Sequence, residues 1–313
     1  MRVVVLGGSG FIGSSLIKTL EGRDHSIIVS TRDSSDISIS PSSNVSYVVW
    51  NGIDREPCFK MFDGADVIIN LIGENVASKR WSENWKEKIV TSRIQVGKTI
   101  VSVLEELKSF PSVFIQASAI GYYGYWKNFD TAPQCTESSL PGNGFLAQTV
   151  IQWEASTSAL DTLGIRRCII RTAPVLGMNG GILKKMLPGF YFGLGSIFGS
   201  GSQPFPWIHI NDEIAAIMFL IDNKEACGVF NLVAPEQLNM KHFAQCLGKV
   251  LKRPVFIHIP ELLLRLTLGE MAEELLLSGQ RAYPEALLEK GFTFRHGLLL
   301  PALKDLLDNH LAM

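Results

Sequence analysis

Residues 2–13 read Arg2-Val3-Val4-Val5-Leu6-Gly7-Gly8-Ser9-Gly10-Phe11-Ile12-Gly13, and their reading decides the fold. Val3 to Leu6 make the short apolar run of a strand buried on both faces. Ile12, Leu16 and Leu20 then recur at every fourth position, which is a helical stripe. Gly7, Gly10 and Gly13 therefore sit at a strand-to-helix turn. Gly7 permits the tight turn, Gly10 lets a pyrophosphate approach the backbone, and Gly13 lets the helix pack close to the strand. The open N–H groups at the helix start face the phosphate charge. Glycines alone fit any βα turn; with this strand and this helix they point to dinucleotide binding.

The chain continues as an alternation. Strands are predicted over 26–32, 45–50, 65–72, 112–118 and 166–172, with helices over 58–62, 83–107 and 145–160. Residues 33–44 and 125–144 read as loops. Beyond 177 the alternation weakens, and 178–206 is rich in glycine and aromatics. A strand over 207–210, a helix capped by Asn211 or Asp212, and a strand over 229–233 follow. Helices are predicted over 240–251, 260–277 and 298–311. The pattern predicts an α/β fold, a Rossmann doubly wound parallel sheet with a smaller C-terminal α/β substrate lobe. The dinucleotide-binding domain is expected over 1–177, with a strand and helix returning from about 207–233. Most of 178–313 forms the substrate lobe.

The second strand ends about twenty residues beyond the glycines, where the adenosine ribose is read. Thr31-Arg32 stands there, rather than a terminal Asp or Glu. A guanidinium beside a small hydroxyl suits a 2′-phosphate, so the reading favours NADP over NAD. The fourth strand ends at Leu71, Ile72 and Gly73, on the sheet edge where a ligand lies. Arg93, in the apolar middle of the long helix, is either a paired surface residue or a cofactor contact.

The 313 residues carry a net charge of −1, and no basic stripe supports nucleic-acid binding. Five scattered cysteines without a C-x-x-C fit a reducing compartment, with neither a disulfide framework nor a metal site. The first strand begins at residue 2, so no targeting segment is expected, and no apolar run is long enough to span a bilayer. The expectation is a cytoplasmic protein without membrane or nucleic-acid partners. Neither substrate nor oligomeric state is legible in the sequence.

Several further stretches resemble one family. They are Asn70-Leu-Ile-Gly73, Ser92-Arg93, Ser118-Ala-Ile-Gly-Tyr-Tyr-Gly124, Trp153-Glu154, Arg171-Thr-Ala-Pro-Val-Leu-Gly177 and Trp207-Ile-His-Ile-Asn-Asp212. With the glycine motif they look like an extended short-chain dehydrogenase/reductase, in its atypical "epimerase family" branch. Leu268-Gly-Glu-Met-Ala and Gly291-Phe-Thr-Phe resemble that branch's own C-terminal extension. The resemblance implies an NADP-binding Rossmann domain with Arg32 on the 2′-phosphate and Leu71 and Ile72 along the adenosine and ribose. It places Arg93 near the cofactor, Val175 backbone at the nicotinamide amide, and Phe11 and Ile12 beside the glycines.

The superfamily's catalytic signature is a Tyr with Lys four residues on, plus a Ser or Thr near the fifth strand's end. A phenol of pKa near ten is a poor base at neutral pH unless such a cation lowers it. Here those positions fall on Leu146 and Val150 if Glu154 is aligned with the family glutamate. The catalytic hydroxyl falls on Ser118 if Tyr122 takes the family's Tyr-Gly tyrosine, and on Ala119 if Tyr123 does. Ser118, Tyr122 and Tyr123 are the catalytic candidates, with Glu137 and His209 as groups that loops could bring to the pocket. The implied activity is that of an NADP-dependent oxidoreductase or nucleotide-sugar epimerase with an atypical site. The alternative is a non-catalytic NADP(H)-binding sensor or interaction protein.

Overall fold

The computed structural model describes residues 1–32 and 43–311. The loop expected over 33–44 lies, up to residue 42, outside the described residues. Seven strands form one sheet: β1 (Arg2–Leu6), β2 (Ser26–Thr31), β3 (Val45–Val49), β4 (Val67–Asn70), β5 (Val113–Ala119), β6 (Arg166–Thr172) and β7 (Gly228–Leu232). Their spatial order is β3-β2-β1-β4-β5-β6-β7, and every neighbouring pair is parallel. The order reverses between β1 and β4, the switch point at which such sheets bind ligands.

Alternation within β1 explains the two helical layers. Val3 and Val5 face one side, in a core with Leu16 and Leu20 of α1 (Phe11–Glu21) and Ile214 and Ile217 of a later helix. Val4 and Leu6 face the other, with Met61 of α2 (Arg55–Phe62) and Ile100 of α3 (Glu83–Leu104). Successive strand side chains point to opposite faces, so four consecutive apolar residues require cover on both. The α4 helix (Phe145–Ala155) joins β5 to β6 and ends earlier than the predicted 160, where a 3-10 segment, Ser158–Leu163, takes over.

The stretch 178–206 is more regular than its composition suggests. It holds α5 (Gly181–Tyr191) and a strand, Gly195–Phe198, paired in parallel with Val255–Ile259. Pro188 inside α5 and two glycines mask the helical period. The next helix, α6, spans Ile210–Asp222 and is capped by His209, whose side chain accepts from the Asn211 N–H; the expected caps Asn211 and Asp212 lie inside it. A second core joins α5, α7 (Met240–Leu251) and the last helix around Trp207, Phe190 and Phe243. The single helix predicted over 260–277 is two, α8 (Glu261–Leu268) and α9 (Glu270–Leu275), broken at Gly269, where φ is +62°. The short α10 (Glu285–Glu289) and α11 (Leu299–Leu311) close the fold.

Candidate functional site

The glycine turn has the geometry that its spacing predicts. Gly7 has φ +76°, and a Cβ there would lie 3.2 Å from the Leu71 carbonyl carbon. A Cβ on Gly13 would come within 2.7 Å of the Gly7 oxygen and the Gly8 Cα, so only glycine lets α1 approach the turn. A Cβ on Gly10 would meet the Gly7 oxygen alone, at 3.3 Å; the rest of its surface is open. Gly10 is also the N-cap of α1 and offers no side-chain acceptor. The first N–H groups of α1 are thus uncapped beside bare backbone, an arrangement suited to an anion.

Two connected cavities run along the carboxyl ends of the strands from this turn. One, of about 340 Å³, is lined by Gly7, Gly10, Thr31, Arg32, Leu71, Ile72, Gly73 and Glu74, with Trp50 at its far wall. The other, of about 600 Å³, is lined by Gly7, Gly10, Phe11, Ile12, Gly13, Leu71, Gly73, Arg93, Ser118 and Val175. All twelve residues singled out for the cofactor thus border one continuous cleft. Arg32 Nη1 lies 2.6 Å from Glu74 Oε1, and the Arg32 side chain is 78% exposed. Arg93 donates to the carbonyls of Ile89 (2.8 Å) and Glu74 (3.0 Å) and stacks 4.7 Å from the Trp153 ring centre. Burial pulls its guanidinium down to about 10, against the nearby Glu74 charge.

The catalytic candidates separate. Ser118 is buried on the larger cavity's wall and donates to Glu154 Oε1 at 2.6 Å. Glu154 is bidentate with Arg171, at 2.8 Å in both contacts. Arg171 donates to the Tyr123 hydroxyl (3.1 Å), which itself donates to Asn231 Oδ1 (2.7 Å). Tyr122 lies under the same guanidinium, 3.3 Å from its ring centre. Both tyrosines directly follow the end of β5, but neither lines the cavity. The physical reason is Arg171, only 3% exposed, whose charge needs a full set of partners. Burial pushes the Tyr123 hydroxyl up to about 12, away from any acid/base range near neutrality. Glu137 and His209 are also absent from the cavity wall: Glu137 accepts from the Asn231 N–H at 2.8 Å, and His209 caps α6.

Four cavity residues carry information that the sequence did not rank. Leu146 and Val150, one turn apart on α4, both face the larger cavity. Glu274 of α9 accepts from the N–H groups of Phe145 (2.8 Å) and Leu146 (2.9 Å), capping α4 from 129 residues away. Glu213 is fully buried. Thr172 donates to its Oε1 at 2.9 Å, while Oε2 has no partner. Burial pushes this carboxyl up to about 8. It directly follows the Asn211-Asp212 pair of a quoted motif, which was the available signal. His209, His296 and Asp305 bring three ligand-type atoms within 4.8 Å of one another. His209 Nδ1 accepts from Asn211, so its neutral ring carries the proton on Nε2, which points at Asp305 3.4 Å away.

A 3-2-1-4-5-6-7 parallel sheet with a glycine turn opening on its switch point defines a Rossmann-type α/β protein of the dinucleotide-binding class. Residues 3–232 match the model of the NAD-dependent epimerase/dehydratase family, and residues 259–306 match a C-terminal domain of unknown function. The chain belongs to that family. It is 35% identical over 313 residues to an epimerase family protein of Staphylococcus haemolyticus, covering 98% of this chain and 99% of the relative. A crystal structure of the human epimerase family protein SDR39U1 (isoform 2) with NADPH superposes with a TM-score of 0.86 at 28% identity, covering 99% of this chain and 100% of that one. A UDP-glucuronic acid 4-epimerase of Bacillus cereus, solved with NAD, shares the fold at a TM-score of 0.75 and 17% identity, with 98% and 96% covered. No described helix is long and apolar enough to cross a membrane.

Proposed function

We propose that this protein binds NADP(H) and acts as an oxidoreductase or epimerase whose proton-handling group is a buried glutamate. The observation that carries the cofactor reading is the cleft itself, where bare, positive-φ backbone at Gly7 and an uncapped α1 N-terminus meet Arg32 at the ribose end. The backbone of Gly7 to Gly13 would hold the diphosphate, with Phe11 and Ile12 beside it. Thr31 and Arg32 would take the 2′-phosphate, and Leu71, Ile72 and Gly73 the adenosine and ribose. Arg93 would stand beside the cofactor and the Val175 backbone at the nicotinamide amide. The human relative crystallised with NADPH supports the phosphorylated form. Bound there, the nicotinamide supplies or accepts hydride.

The chain's own groups divide the remaining work. Leu146 and Val150 cannot transfer a proton. Glu213 Oε2, unpartnered and protonated up to about pH 8, can hold one at the cavity wall. Ser118 gives its hydroxyl proton to Glu154, so it presents only lone pairs to the cavity and suits a substrate hydroxyl. The apolar pair on α4 also favours a second reading, a non-catalytic NADP(H) sensor or interaction protein.

Calorimetry with NADPH and NADH tests the cofactor assignment; no heat with either would refute it. A turnover that survives Glu213→Gln unchanged would refute the role of Glu213. Cofactor binding that alters oligomeric state, with no hydride transfer to any member of a broad carbonyl panel, would favour the sensor.

A further inference from the structure

We propose that the substrate is an apolar molecule bearing one carbonyl or hydroxyl group, not a sugar nucleotide, and that it occupies a cavity of about 570 Å³ next to the cofactor cleft. The inference rests on the cofactor reading above for its orientation, because the two cavities share the wall formed by Asn75, Val76, Pro174, Gly181, Ile182 and Leu275. A molecule in this space therefore abuts the cleft along that wall.

The lining decides the chemistry. Met186 and Phe190 of α5, Phe198, Ile259, Met271 and Leu276 build an apolar chamber from both sides. Among the described lining residues only Lys185 is charged, and its Nζ already donates to the Ala77 carbonyl at 2.9 Å. The Ser196 hydroxyl is likewise engaged, with the Leu194 carbonyl at 2.7 Å. Asn75, on the shared wall, is the other polar side chain; its Oδ1 accepts from the Ala77 N–H at 2.9 Å, which leaves its amide NH2 as the donor for a ligand's carbonyl or hydroxyl oxygen. A sugar nucleotide brings two phosphate charges and a ring of hydroxyls. Such groups are recognised by Arg forks and paired donors and acceptors, which this chamber lacks. An alkyl or aromatic body, by contrast, gains from leaving water, and two methionines let the wall adapt to its shape. The single amide at the shared wall matches a ligand with a single polar group directed toward the cleft. The volume lies within the usual range for a small-molecule site.

Gly189 provides a clean obstruction. It lies in α5 on this wall, and a Cβ there would meet nothing closer than the Leu194 oxygen at 3.8 Å. The backbone therefore accepts a Cβ at this position, and Gly189→Leu improves helix propensity and adds an apolar side chain to a residue that lines the chamber. Ala77→Phe, on an exposed loop position, narrows the chamber from the 75–77 segment of its lining.

The test uses the full chain saturated with NADPH and the uncharged lipophilic dye Nile red, followed by fluorescence, with UDP-glucose as competitor. Saturable dye binding is expected, weakened at least about tenfold in both variants while NADPH affinity stays at the wild-type value. Millimolar UDP-glucose is expected to leave the dye in place. Displacement by UDP-glucose, absence of saturable binding, or unchanged dye affinity in both variants would overturn the proposal. Dye binding with this variant pattern but no NADPH binding by the wild type would refute the cofactor reading and leave the chamber's assignment standing.

Discussion

The Glu213→Gln substitution gives the most quantitative test of the site. Glu213 has Thr172 as its one hydrogen-bond partner, and no neighbouring charge offsets its burial. Its carboxyl rises from 4.5 to about 8 in the folded chain. Between those values the folded state holds one proton more than the unfolded state. Stability from this group is therefore complete below about pH 4.5 and is lost as pH rises toward 8. The slope is about 1.4 kcal/mol per pH unit, and the whole interval is worth about 5 kcal/mol. That figure is an upper bound, because Glu213 borders the larger cavity and any water reaching its carboxylate on ionisation lowers the cost. Glutamine keeps the shape and the acceptor for Thr172 but has no proton to lose. Urea unfolding of both proteins from about pH 5 to about pH 8 isolates the effect, because every other titration cancels in the difference. The variant should gain on the wild type steadily across this range, by several kcal/mol at the upper end. Parallel stability curves would show that Glu213 ionises in the folded chain as easily as in water, and the proton-holding role would fall with them.

Three further outcomes are expected. Arg32→Ala should weaken NADPH by roughly tenfold or more and leave NADH nearly unchanged, since a charge-assisted contact is worth about 1.5–3 kcal/mol and this side chain is exposed; equal losses for both cofactors would refute the 2′-phosphate assignment. Releasing the same guanidinium by Glu74→Gln should strengthen NADPH a few-fold, read by the same titration, and a matching gain for NADH would count against it. Burial, then the neighbouring His296, hold the His209 ring down to about 4, so its stability contribution is present above about pH 6.5 and is lost as pH falls toward 4. His209→Asn keeps an N-cap acceptor and should flatten that acid limb by up to about 3 kcal/mol in urea unfolding, whereas an unchanged limb would refute the assignment.

The sheet was legible because its signals are local. Val3 to Leu6 and Ile27 to Val29 are continuous apolar runs, and β6 falls on the predicted residues 166–172. The glycine turn, Thr31-Arg32 and Leu71 to Gly73 lie at or just past strand ends that the sequence marks, whereas Arg93, in the middle of α3, borders the same cleft only through the packing of that helix. What stayed hidden depends on partners distant in the sequence. Tyr122 and Tyr123 occupy the expected turn, but both pack on Arg171, forty-eight residues on from Tyr123, and neither lines the cavity. Glu213 reads as an ordinary first-turn acid until α6 is packed and its carboxyl is seen without a partner. The break at Gly269 is invisible to a periodicity that continues across it.

The C-terminal residues belong to the site's construction as much as the glycine turn does. Asp212 of α6 accepts from the N–H groups of Arg295 (3.0 Å) and His296 (2.8 Å), fixing that segment against the sheet's carboxyl edge. Glu274 satisfies two orphan donors at the start of α4. A carboxylate seated on those donors stabilises the start of the helix that turns Leu146 and Val150 to the larger cavity. Burial raises the pKa of Glu274, yet the two N–H groups oppose that shift. The same α9 helix supplies Leu275 to the wall that the two cavities share. The short α9 thus touches both cavities and the start of α4. A substitution in α9 therefore alters the lining of both cavities and the cap of α4 at once.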